Sequence, residues 1–378
     1  MANLTSTLAP KVYTRLAVRV GSRGKLTPIN ADEAQEHPLT LAFVVTTIQP
    51  PSSGVKAIGL EAQRLGYRFF VVGDLRSPEA WHCRGAEYLS PFDQGRTPFK
   101  TTRALPFNTY SRKLIGYLQA ASTPVRWIRE TDDDNAPYGS FFDPAPQPLH
   151  GRIPLAQSHF INIYKCFTKR HIWPRGLPLN YVNQEADCST SSGLASGLIV
   201  LQSVADGDPD VDAVYRLTAP DTSDVMFENA EPLIIPKGIW TPFNSQATTW
   251  PRELLPLMYL PSTCSFRMTD IWRSYVAQRL MPGLGATLVI TGPTVYQDRN
   301  EHDLMRDFRD EIEGYVGYER FVDVLEATPV VGGFDALLAD LRGLYEALID
   351  AEFFTSDEMP ILDAWIADME MLGFGPTA

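Results

Sequence analysis

The stretch Val125-Arg126-Trp127-Ile128-Arg129-Glu130-Thr131-Asp132-Asp133-Asp134 joins an apolar segment to three consecutive carboxylates. The apolar part is typical of a buried strand, so the carboxylates are expected at the rim of a sheet. Hard cations such as Mg²⁺ and Mn²⁺ prefer carboxylate and phosphate oxygens. Two unpaired carboxylates about 4 Å apart repel by about 4 kcal/mol at an effective dielectric of about 20, a penalty that a cation would remove. The run is therefore a candidate metal site, and a solvated acidic loop is the alternative.

Segments that alternate between strand and helix patterns lead up to this run. Residues 41–48 and 67–72 are predicted to be buried strands, with a helix over 55–65 between them. A short strand is predicted at 86–89, and a helix capped by Thr109 precedes the strand at Val125. This order predicts an α/β fold with a Rossmann-like, mostly parallel sheet.

Polar residues follow three of these strands, where a parallel sheet binds its ligands. Thr46 and Thr47 end the first strand, Asp74 follows the second, and the aspartate run follows the strand at Val125. Asp74 could accept hydrogen bonds from a base or a ribose, or it could simply cap a turn.

The rest of the chain divides into three predicted regions. Residues 1–37 are an arm with a possible hairpin, 38–297 the binding and catalytic domain, and 298–378 an acidic helical C-terminal region. Further strands are predicted at 198–204, 213–217, 233–235 and 286–290, a long functional loop at 141–170, a helix from Thr269 to about Met281, and helix after Gly292.

Charge is distributed unevenly along the 378 residues. The net charge is −12, but the part from Asp298 onward holds 20 acidic and 5 basic residues, which we expect on the solvent faces of its helices. The segment Arg96–Arg129 carries seven basic residues and no acidic one before it reaches the aspartates. That combination suits a small polyanion bound with its metal, and it argues against nucleic acid as a partner.

Other classes of protein are disfavoured by what the sequence lacks. It has no apolar run long enough to span a bilayer and no signal-peptide pattern at its start, so a soluble, cytoplasmic protein is expected. Its four cysteines fit no zinc spacing and are expected to be reduced packing residues. There is no P-loop, GxSxG elbow or GxGxxG motif.

Several other polar residues are candidates, each with a plainer alternative. Lys113 and Arg112 could neutralise a diphosphate or lie on a solvated helix face. Arg175, held between two prolines beside Gly176, could bind phosphate or carboxylate or be an exposed loop residue. In Asp208-Pro209-Asp210-Val211-Asp212, Asp212 is the carboxylate expected to point inward, although a turn is favoured over a second metal site.

Asp270 is a candidate general base or sugar contact near the start of a predicted helix. An aspartate in a first helical turn is also favoured by the helix dipole by roughly 0.3–1 kcal/mol, which alone could explain it.

Six ordered motifs in residues 40–300 resemble the catalytic region of STELLO-type proteins, which are classed as glycosyltransferases. The motifs are Val44-Val45-Thr46-Thr47-Ile48-Gln49-Pro50-Pro51, Val71-Val72-Gly73-Asp74, Glu130-Thr131-Asp132-Asp133-Asp134-Asn135, Trp173-Pro174-Arg175-Gly176-Leu177-Pro178-Leu179, Asp208-Pro209-Asp210-Val211-Asp212-Ala213-Val214 and Asp270-Ile271-Trp272-Arg273-Ser274-Tyr275. More distantly, the chain is similar to reversibly glycosylated polypeptides, the UDP-arabinopyranose mutases. The acidic helical tail has no evident counterpart in either family.

Both resemblances imply a GT-A-type nucleotide-diphospho-sugar fold with Mn²⁺ or Mg²⁺ at a DXD-like aspartate triplet. They imply the following roles: Asp132 and Asp134 as metal ligands; Thr46, Thr47, Asp74 and Lys113 as nucleotide-sugar contacts; and Asp270 and Arg175 as catalytic residues. From their positions in the sequence, Arg112, Asp133 and Asp212 are added to the predicted nucleotide-sugar contacts. In the mutase-like group, the arginine that matches Arg175 becomes glycosylated.

The favoured interpretation is a metal-dependent glycosyltransferase that uses a nucleotide-diphospho-sugar, with UDP as the expected nucleotide. Its acceptor could be a glycan, a lipid or a protein, and homo-oligomerisation is left open. The alternatives are a mutase-like or self-glycosylating protein acting through Arg175, and a non-catalytic scaffold that binds sugar nucleotide.

Overall fold

The structure, a computed structural model, describes residues 17–20, 26–29, 41–145, 148–155, 158–184, 190–221, 223–300 and 302–375. Its strands are β1 (Ala17–Val20), β2 (Leu26–Ile29), β3 (Leu41–Thr46), β4 (Arg68–Val72), β5 (Glu87–Leu89), β6 (Trp127–Thr131), β7 (Asn135–Pro137), β8 (Leu149–Pro154), β9 (Thr190–Ala195), β10 (Leu198–Gly207), β11 (Leu233–Ile234), β12 (Ala247–Pro251) and β13 (Ala286–Gln297).

The α-helices are α1 (Ser53–Leu65), α2 (Pro91–Gly95), α3 (Lys100–Ala104), α4 (Lys113–Ala121), α5 (Ala213–Thr218), α6 (Thr269–Leu280), α7 (Leu304–Ala327), α8 (Leu337–Asp350) and α9 (Glu358–Met371). Short 3₁₀ helices lie at Tyr110–Arg112, Gly139–Phe142, Ile163–Cys166, Leu179–Tyr181, Arg252–Met258 and Met281–Leu284.

Within the described ranges, eleven strands form one sheet in the order β5-β4-β3-β6-β12-β10-β13-β11-β8-β9, with β7 paired to β13. Strands β5, β4, β3 and β6 are parallel neighbours. Strand β12 runs antiparallel to β6 and β10, and β10 is parallel to β13. The predicted α/β class is confirmed, and the sheet as a whole is mixed, with its parallel block at the end that contains β3, β4 and β6.

Close approach of α1 to the aspartate run positions one side of the site. The Ser52 hydroxyl caps α1 by accepting from the Val55 N–H, and it donates to the Asp133 carbonyl at 2.5 Å. A Cβ on Gly54 would lie 1.9 Å from the Asn135 carbonyl oxygen, so only glycine permits this contact. The start of α1 is thereby fixed against the end of β6.

The C-terminal helices share their apolar core with the α/β part of the chain. The Trp272 ring of α6 stacks on Phe321 of α7 with centroids 4.1 Å apart, and Trp365 of α9 is fully buried. The 3.6-residue apolar spacing thus predicted the buried faces of α8 and α9. The division of the chain at residue 297 remains a prediction.

Several predicted elements are wrong. Residues 213–217 form helix α5 rather than a strand, because the Asp212 carboxylate caps it by accepting from the Tyr215 N–H. The predicted loop at 141–170 contains β8, and β13 continues beyond Gly292 to Gln297. Strand β12 was not predicted at all.

Predictions for residues outside the large sheet have mixed outcomes. Strands β1 and β2 pair antiparallel as the hairpin interpretation of the arm requires, while the Gly-Ser-Arg-Gly segment at 21–24 lies outside the described residues. Cys83 and Cys166 are buried and Cys264 is half-buried, as expected for packing residues, whereas Cys188 falls in an undescribed range. Across the described part of the chain, every helix is too short or too polar to cross a membrane.

Candidate active site

A pocket of about 550 Å³ opens at the carboxyl ends of β3, β4 and β6. It brings together eight of the predicted site residues: Thr46, Thr47, Asp74, Asp132, Asp133, Asp134, Arg175 and Asp270. Described residues that follow β13 also line it, namely Arg299, Asn300, His302, Asp303, Arg306, Asp307 and Asp310, together with Gln297 at the end of that strand. The polar residues at the ends of β3, β4 and β6 therefore lie in one pocket, as the sequence pattern predicts. The predicted C-terminal region contributes a further wall of this pocket.

The aspartate run is held by a different partner at each position. The Asp132 carboxylate accepts from the Tyr110 hydroxyl at 2.7 Å and from Lys113 Nζ at 2.9 Å. Asp133 accepts from the Thr47 hydroxyl. Asp134 Oδ2 accepts from Gln297 Nε2 at 3.3 Å, while Asp134 Oδ1 is buried and has no hydrogen-bond partner among the described residues.

Burial and mutual repulsion change the acidity of this run. Burial raises the pKa of Asp133, and the Thr47 hydrogen bond offsets part of that rise. Burial, followed by the neighbouring Asp132 charge, raises the pKa of Asp134 to about 7. Asp134 is therefore held at a site that penalises its negative charge, which is the situation that a cation relieves.

Lys113 occupies a role that differs from the predicted phosphate contact. Its fully buried ammonium donates to the Tyr110 hydroxyl at 2.8 Å, to Asp132 at 2.9 Å and to the Ser245 carbonyl at 3.1 Å. An ammonium has three N–H donors, so these contacts use all of them. Lys113 positions Asp132 and has no donor left for phosphate.

Arg112 does not reach the pocket either, which corrects its prediction as a diphosphate contact. Its buried guanidinium donates to Gln94 Oε1 and to the Leu105 carbonyl, and it lies 4.0 Å from the centroid of the Phe107 ring. In the described part of the chain, the seven basic residues between Arg96 and Arg129 all lie outside the pocket lining. The basic segment therefore supplies no residue to the described pocket lining.

Asp74 lines the pocket but already has protein partners. Its two carboxylate oxygens accept from the Leu75 and Asn108 backbone N–H groups, each at 2.7 Å. Thr46 donates its hydroxyl to the Val72 carbonyl at 3.1 Å. The turn-capping alternative for Asp74 thus describes its present contacts, and its nucleotide role remains a prediction.

Arg175 forms a buried ion-pair cluster with two aspartates. Its Nε and Nη2 donate to Asp210 at 2.8 and 2.7 Å, and Nη2 also lies 3.1 Å from Asp270 Oδ1. Burial disfavours the charged form of Arg175, but the charges of Asp210 and Asp270 outweigh burial and raise its pKa well above the ordinary value. The alternative of an exposed loop arginine is wrong, since Arg175 is 5% exposed.

A chain of hydrogen bonds joins this cluster to the aspartate run. Asp270 Oδ2 accepts from both the N–H and the hydroxyl of Ser245 at 3.2 Å. The Ser245 hydroxyl also contacts the Tyr110 hydroxyl, whose single proton is donated either to Ser245 Oγ or to Asp132. The two ends of the pocket are thus connected through Ser245 and Tyr110, neither of which sequence reasoning identified.

Asp212 points into the protein interior, as predicted, whereas Asp210 is the carboxylate of its motif that lines the pocket. Asp212 caps α5 and accepts from Trp173 Nε1 at 2.7 Å, and it does not line the pocket. Asp212 therefore lies outside the described pocket lining, and its role as a ligand contact stays a prediction. The spacing of the motif predicts no orientation, because an irregular segment has no fixed period.

The C-terminal wall of the pocket also escaped prediction. It contributes the charged residues Arg299, His302, Asp303, Arg306, Asp307 and Asp310. The residues that line the pocket include nine aspartates and five arginines, so the described lining carries an excess of negative charge. The sequence signal was present as alternating charges, but we assigned it to solvent-exposed helix faces.

The aspartate run suits a hard cation in its chemistry. In the described ranges, groups of three or more His, Cys, Asp or Glu side chains positioned for a metal ion are absent. Mg²⁺ is commonly held by one or two carboxylates together with water and substrate phosphate, so Asp132 and Asp134 would suffice. The unpartnered Asp134 Oδ1 is a ligand atom that the protein itself leaves unused.

Comparison with known proteins agrees with the resemblance found in the sequence. Residues 267–377 match the family model for STELLO glycosyltransferases. The chain is 27% identical over 350 residues to "Probable glycosyltransferase STELLO2" of Arabidopsis thaliana, covering 88% of this chain and 45% of the relative. It is 27% identical over 352 residues to "Probable glycosyltransferase STELLO1" of the same plant, covering 88% and 44%. The resemblance to STELLO-type proteins is confirmed, and the chain spans less than half the length of these relatives.

The family match corrects one expectation. It extends through the acidic C-terminal helices, so the prediction that this tail has no counterpart in the family is wrong.

Among solved structures, the chain is similar to the crystal structure of M. tuberculosis glucosyl-3-phosphoglycerate synthase. The sequence identity is 13%, the TM-score is 0.33, and the match covers 78% of this chain and 81% of the other. A likeness this weak carries no argument about function.

Proposed function

We propose that the chain is a glycosyltransferase of GT-A type that uses a nucleotide-diphospho-sugar, with UDP as the expected nucleotide. The observation that carries the proposal is a single pocket in which Asp132, Asp134 and Asp270 meet at the carboxyl ends of the strands. The similarity to STELLO-type proteins supports the reaction class.

The donor would lie across the strand ends. Thr46, Thr47 and Asp74 line the part of the pocket suited to a nucleoside, and the aspartate run lies next to it. A diphosphate would enter a lining with nine aspartates and five arginines, so an added cation is electrostatically favourable. We assign that cation, Mn²⁺ or Mg²⁺, to Asp132 and Asp134, where it would stabilise the negative charge of the leaving diphosphate.

Asp270 is the proposed general base at the acceptor side. Its carboxylate would take the proton of an acceptor hydroxyl as that oxygen bonds to the anomeric carbon and the bond from this carbon to the diphosphate breaks. Arg175 and Ser245 hold the Asp270 carboxylate from the protein side. Lys113 in turn fixes Asp132, so both ends of the site are positioned by buried groups.

The contacts of Arg175 favour a positioning role over self-glycosylation. A protonated guanidinium has no lone pair available for attack on a sugar, and two carboxylates keep Arg175 protonated. All of its nitrogens are also engaged, since Nη1 donates to the Arg267 carbonyl.

Calorimetric titration with UDP and GDP, each with Mn²⁺ and with EDTA, tests the donor assignment. Metal-dependent binding of UDP is expected, followed by turnover of a UDP-sugar that is lost in Asp134→Ala. Binding of GDP alone would move the donor class to guanine nucleotides. Absence of nucleotide binding under every condition would overturn the proposal in favour of a non-catalytic scaffold.

A further inference from the structure

Arg299 follows β13 and lines the pocket with a side chain that is only 7% exposed. Its Nη2 lies 3.6 Å from Asp307 Oδ2 and 3.5 Å from His302 Nδ1. Its Nε is buried and finds no hydrogen-bond partner among the described residues. A buried guanidinium with a loose ion pair and an unused donor is costly unless a ligand completes it.

The other arginines that line the pocket either form ion pairs with protein carboxylates or are exposed. Arg175 is bound by Asp210 and Asp270, and Arg267 donates to Glu311 at 2.7 Å. Arg76 and Arg306 lie exposed at the rim. Among the described arginines of the lining, Arg299 is the one with a buried guanidinium nitrogen, Nε, that has no hydrogen-bond partner.

The surroundings of Arg299 favour an incoming anion. Burial, and then the like charges of Arg216 and Arg267, lower its pKa to about 10. A negatively charged ligand would relieve both effects, because it neutralises the charge and supplies acceptors.

Arg299 is also placed beside the aspartate run. Gln297 donates to the Asp134 carboxylate, and the Asp298 N–H donates to the Asp134 carbonyl at 3.1 Å. The segment that carries Arg299 is thus bonded to Asp134, the residue assigned to the metal.

We propose that Arg299 binds a phosphate group of the donor diphosphate and takes the role that the sequence had suggested for Lys113. The inference rests on the proposed function. The planar guanidinium can donate two parallel bonds to phosphate oxygens, which an ammonium cannot. Arg299 would act on the leaving group, while Asp270 acts on the acceptor.

The test compares UDP and uridine binding to the wild type, Arg299→Gln and Arg309→Gln, all with Mn²⁺. Arg309 is an exposed residue of α7 outside the pocket lining, so its variant matches the change in charge. We expect Arg299→Gln to weaken UDP at least tenfold and to leave uridine unchanged, as loss of a charge-assisted bond predicts. UDP affinity within twofold of the wild type in a folded Arg299→Gln protein overturns the assignment.

Inorganic pyrophosphate separates failure of this inference from failure of the proposed function. If no nucleotide binds but pyrophosphate binds and is lost in Arg299→Gln, the anion site stands and the proposed function fails. If neither nucleotide nor pyrophosphate binds the wild type, both fail.

Two further arms complete the test. In the first, inorganic phosphate is titrated in the presence of saturating UDP. If Arg299→Gln still weakens phosphate binding there, the site belongs to an acceptor phosphate and the donor role is overturned. If Arg299→Gln does not fold, Arg299→Lys takes its place, with a severalfold loss of UDP affinity expected and unchanged affinity counting against the contact.

Discussion

The Arg175 guanidinium lies between the carboxylates of Asp210 and Asp270, with Nη2 2.7 Å from Asp210 Oδ2 and 3.1 Å from Asp270 Oδ1. Gly176, at a φ of 99°, follows the arginine, and a Cβ there would lie 2.6 Å from Ile271 Cγ2. The rigid Arg-Gly segment is therefore pressed against the start of α6, which carries Asp270. Three motifs that had independent interpretations, those of Arg175, Asp210 and Asp270, form one buried unit.

Removing the charge of Arg175 should destabilise the fold. We expect Arg175→Gln to lower the free energy of unfolding by about 3–5 kcal/mol, because two buried carboxylates lose their cation. Urea unfolding measures this, and Arg342→Gln, which breaks exposed ion pairs, should cost about 1 kcal/mol or less.

The positioning role of Arg175 also predicts that the wild-type protein does not label itself with radiolabelled UDP-sugar. Labelling of the wild type that disappears in Arg175→Ala would restore the self-glycosylation alternative.

The metal assignment predicts a cation-dependent phenotype for Asp134. Asp134→Ala and Asp132→Ala should weaken UDP binding when Mn²⁺ or Mg²⁺ is present and have little effect in EDTA. Calorimetry in both buffers measures the difference. Asp303→Asn, which changes an exposed pocket carboxylate outside the run, is the matched control. Equal weakening with and without metal would contradict a metal bridge.

The base assignment predicts that Asp270 affects turnover more than donor binding. We expect Asp270→Asn to lower kcat about 10²–10⁴-fold with UDP affinity nearly unchanged, since the amide cannot accept the proton. Steady-state kinetics and UDP titration on the same preparation measure both quantities, with Asp323→Asn as the exposed control on α7. Near-normal kcat in Asp270→Asn would exclude it as the base.

Lys113 is expected to behave as a positioning residue. Lys113→Met leaves Asp132, Tyr110 and the Ser245 carbonyl without a buried cationic donor, so we expect stability to fall by about 3–5 kcal/mol. Metal-dependent UDP binding should weaken together with stability. A variant with an unchanged melting temperature that loses only UDP affinity would instead indicate direct phosphate contact.

The raised pKa of the Asp212 carboxyl predicts that the free energy of unfolding depends on pH. Burial raises its pKa from 3.8 to about 6, and the Tyr215 and Trp173 hydrogen bonds offset this only in part. Between these values the native state binds more protons than the unfolded chain, so the contribution of Asp212 to stability falls as pH rises. Relative to Asp212→Asn, the wild type should lose up to about 3 kcal/mol between pH 4 and pH 7.

Urea unfolding across that range measures the Asp212 effect. If the free energy of unfolding changes equally with pH in Asp212→Asn and in the wild type, the pKa of Asp212 is not raised in the native state.

Local patterns predicted the elements that depend on neighbouring residues. Strands β3 and β4 are largely apolar runs, and β6 begins with the apolar Trp127 and Ile128. Helix α1 begins at a serine cap and ends at Gly66 in the left-handed conformation, at a φ of 72°. Strand β12 was missed because its sequence, Ala247-Thr248-Thr249-Trp250-Pro251, has little apolar character and ends in proline, while its burial comes from β6 and β10 on either side. The sequence pattern misses helix α5 because its N-cap residue, Asp212, belongs to an Asp-Pro segment that favours a turn.

The sequence by itself determined the α/β class, the parallel block of the sheet and the position of the aspartate run at a strand end. These follow from periodicity and strand direction, which are local properties. Only the tertiary structure decided which charges meet in the pocket. Arg175 joins Asp210 and Asp270 across 35 and 95 residues, and Lys113 turns away from the ligand space to hold Asp132. A side chain's direction and partners depend on packing between distant segments, and no local pattern encodes them.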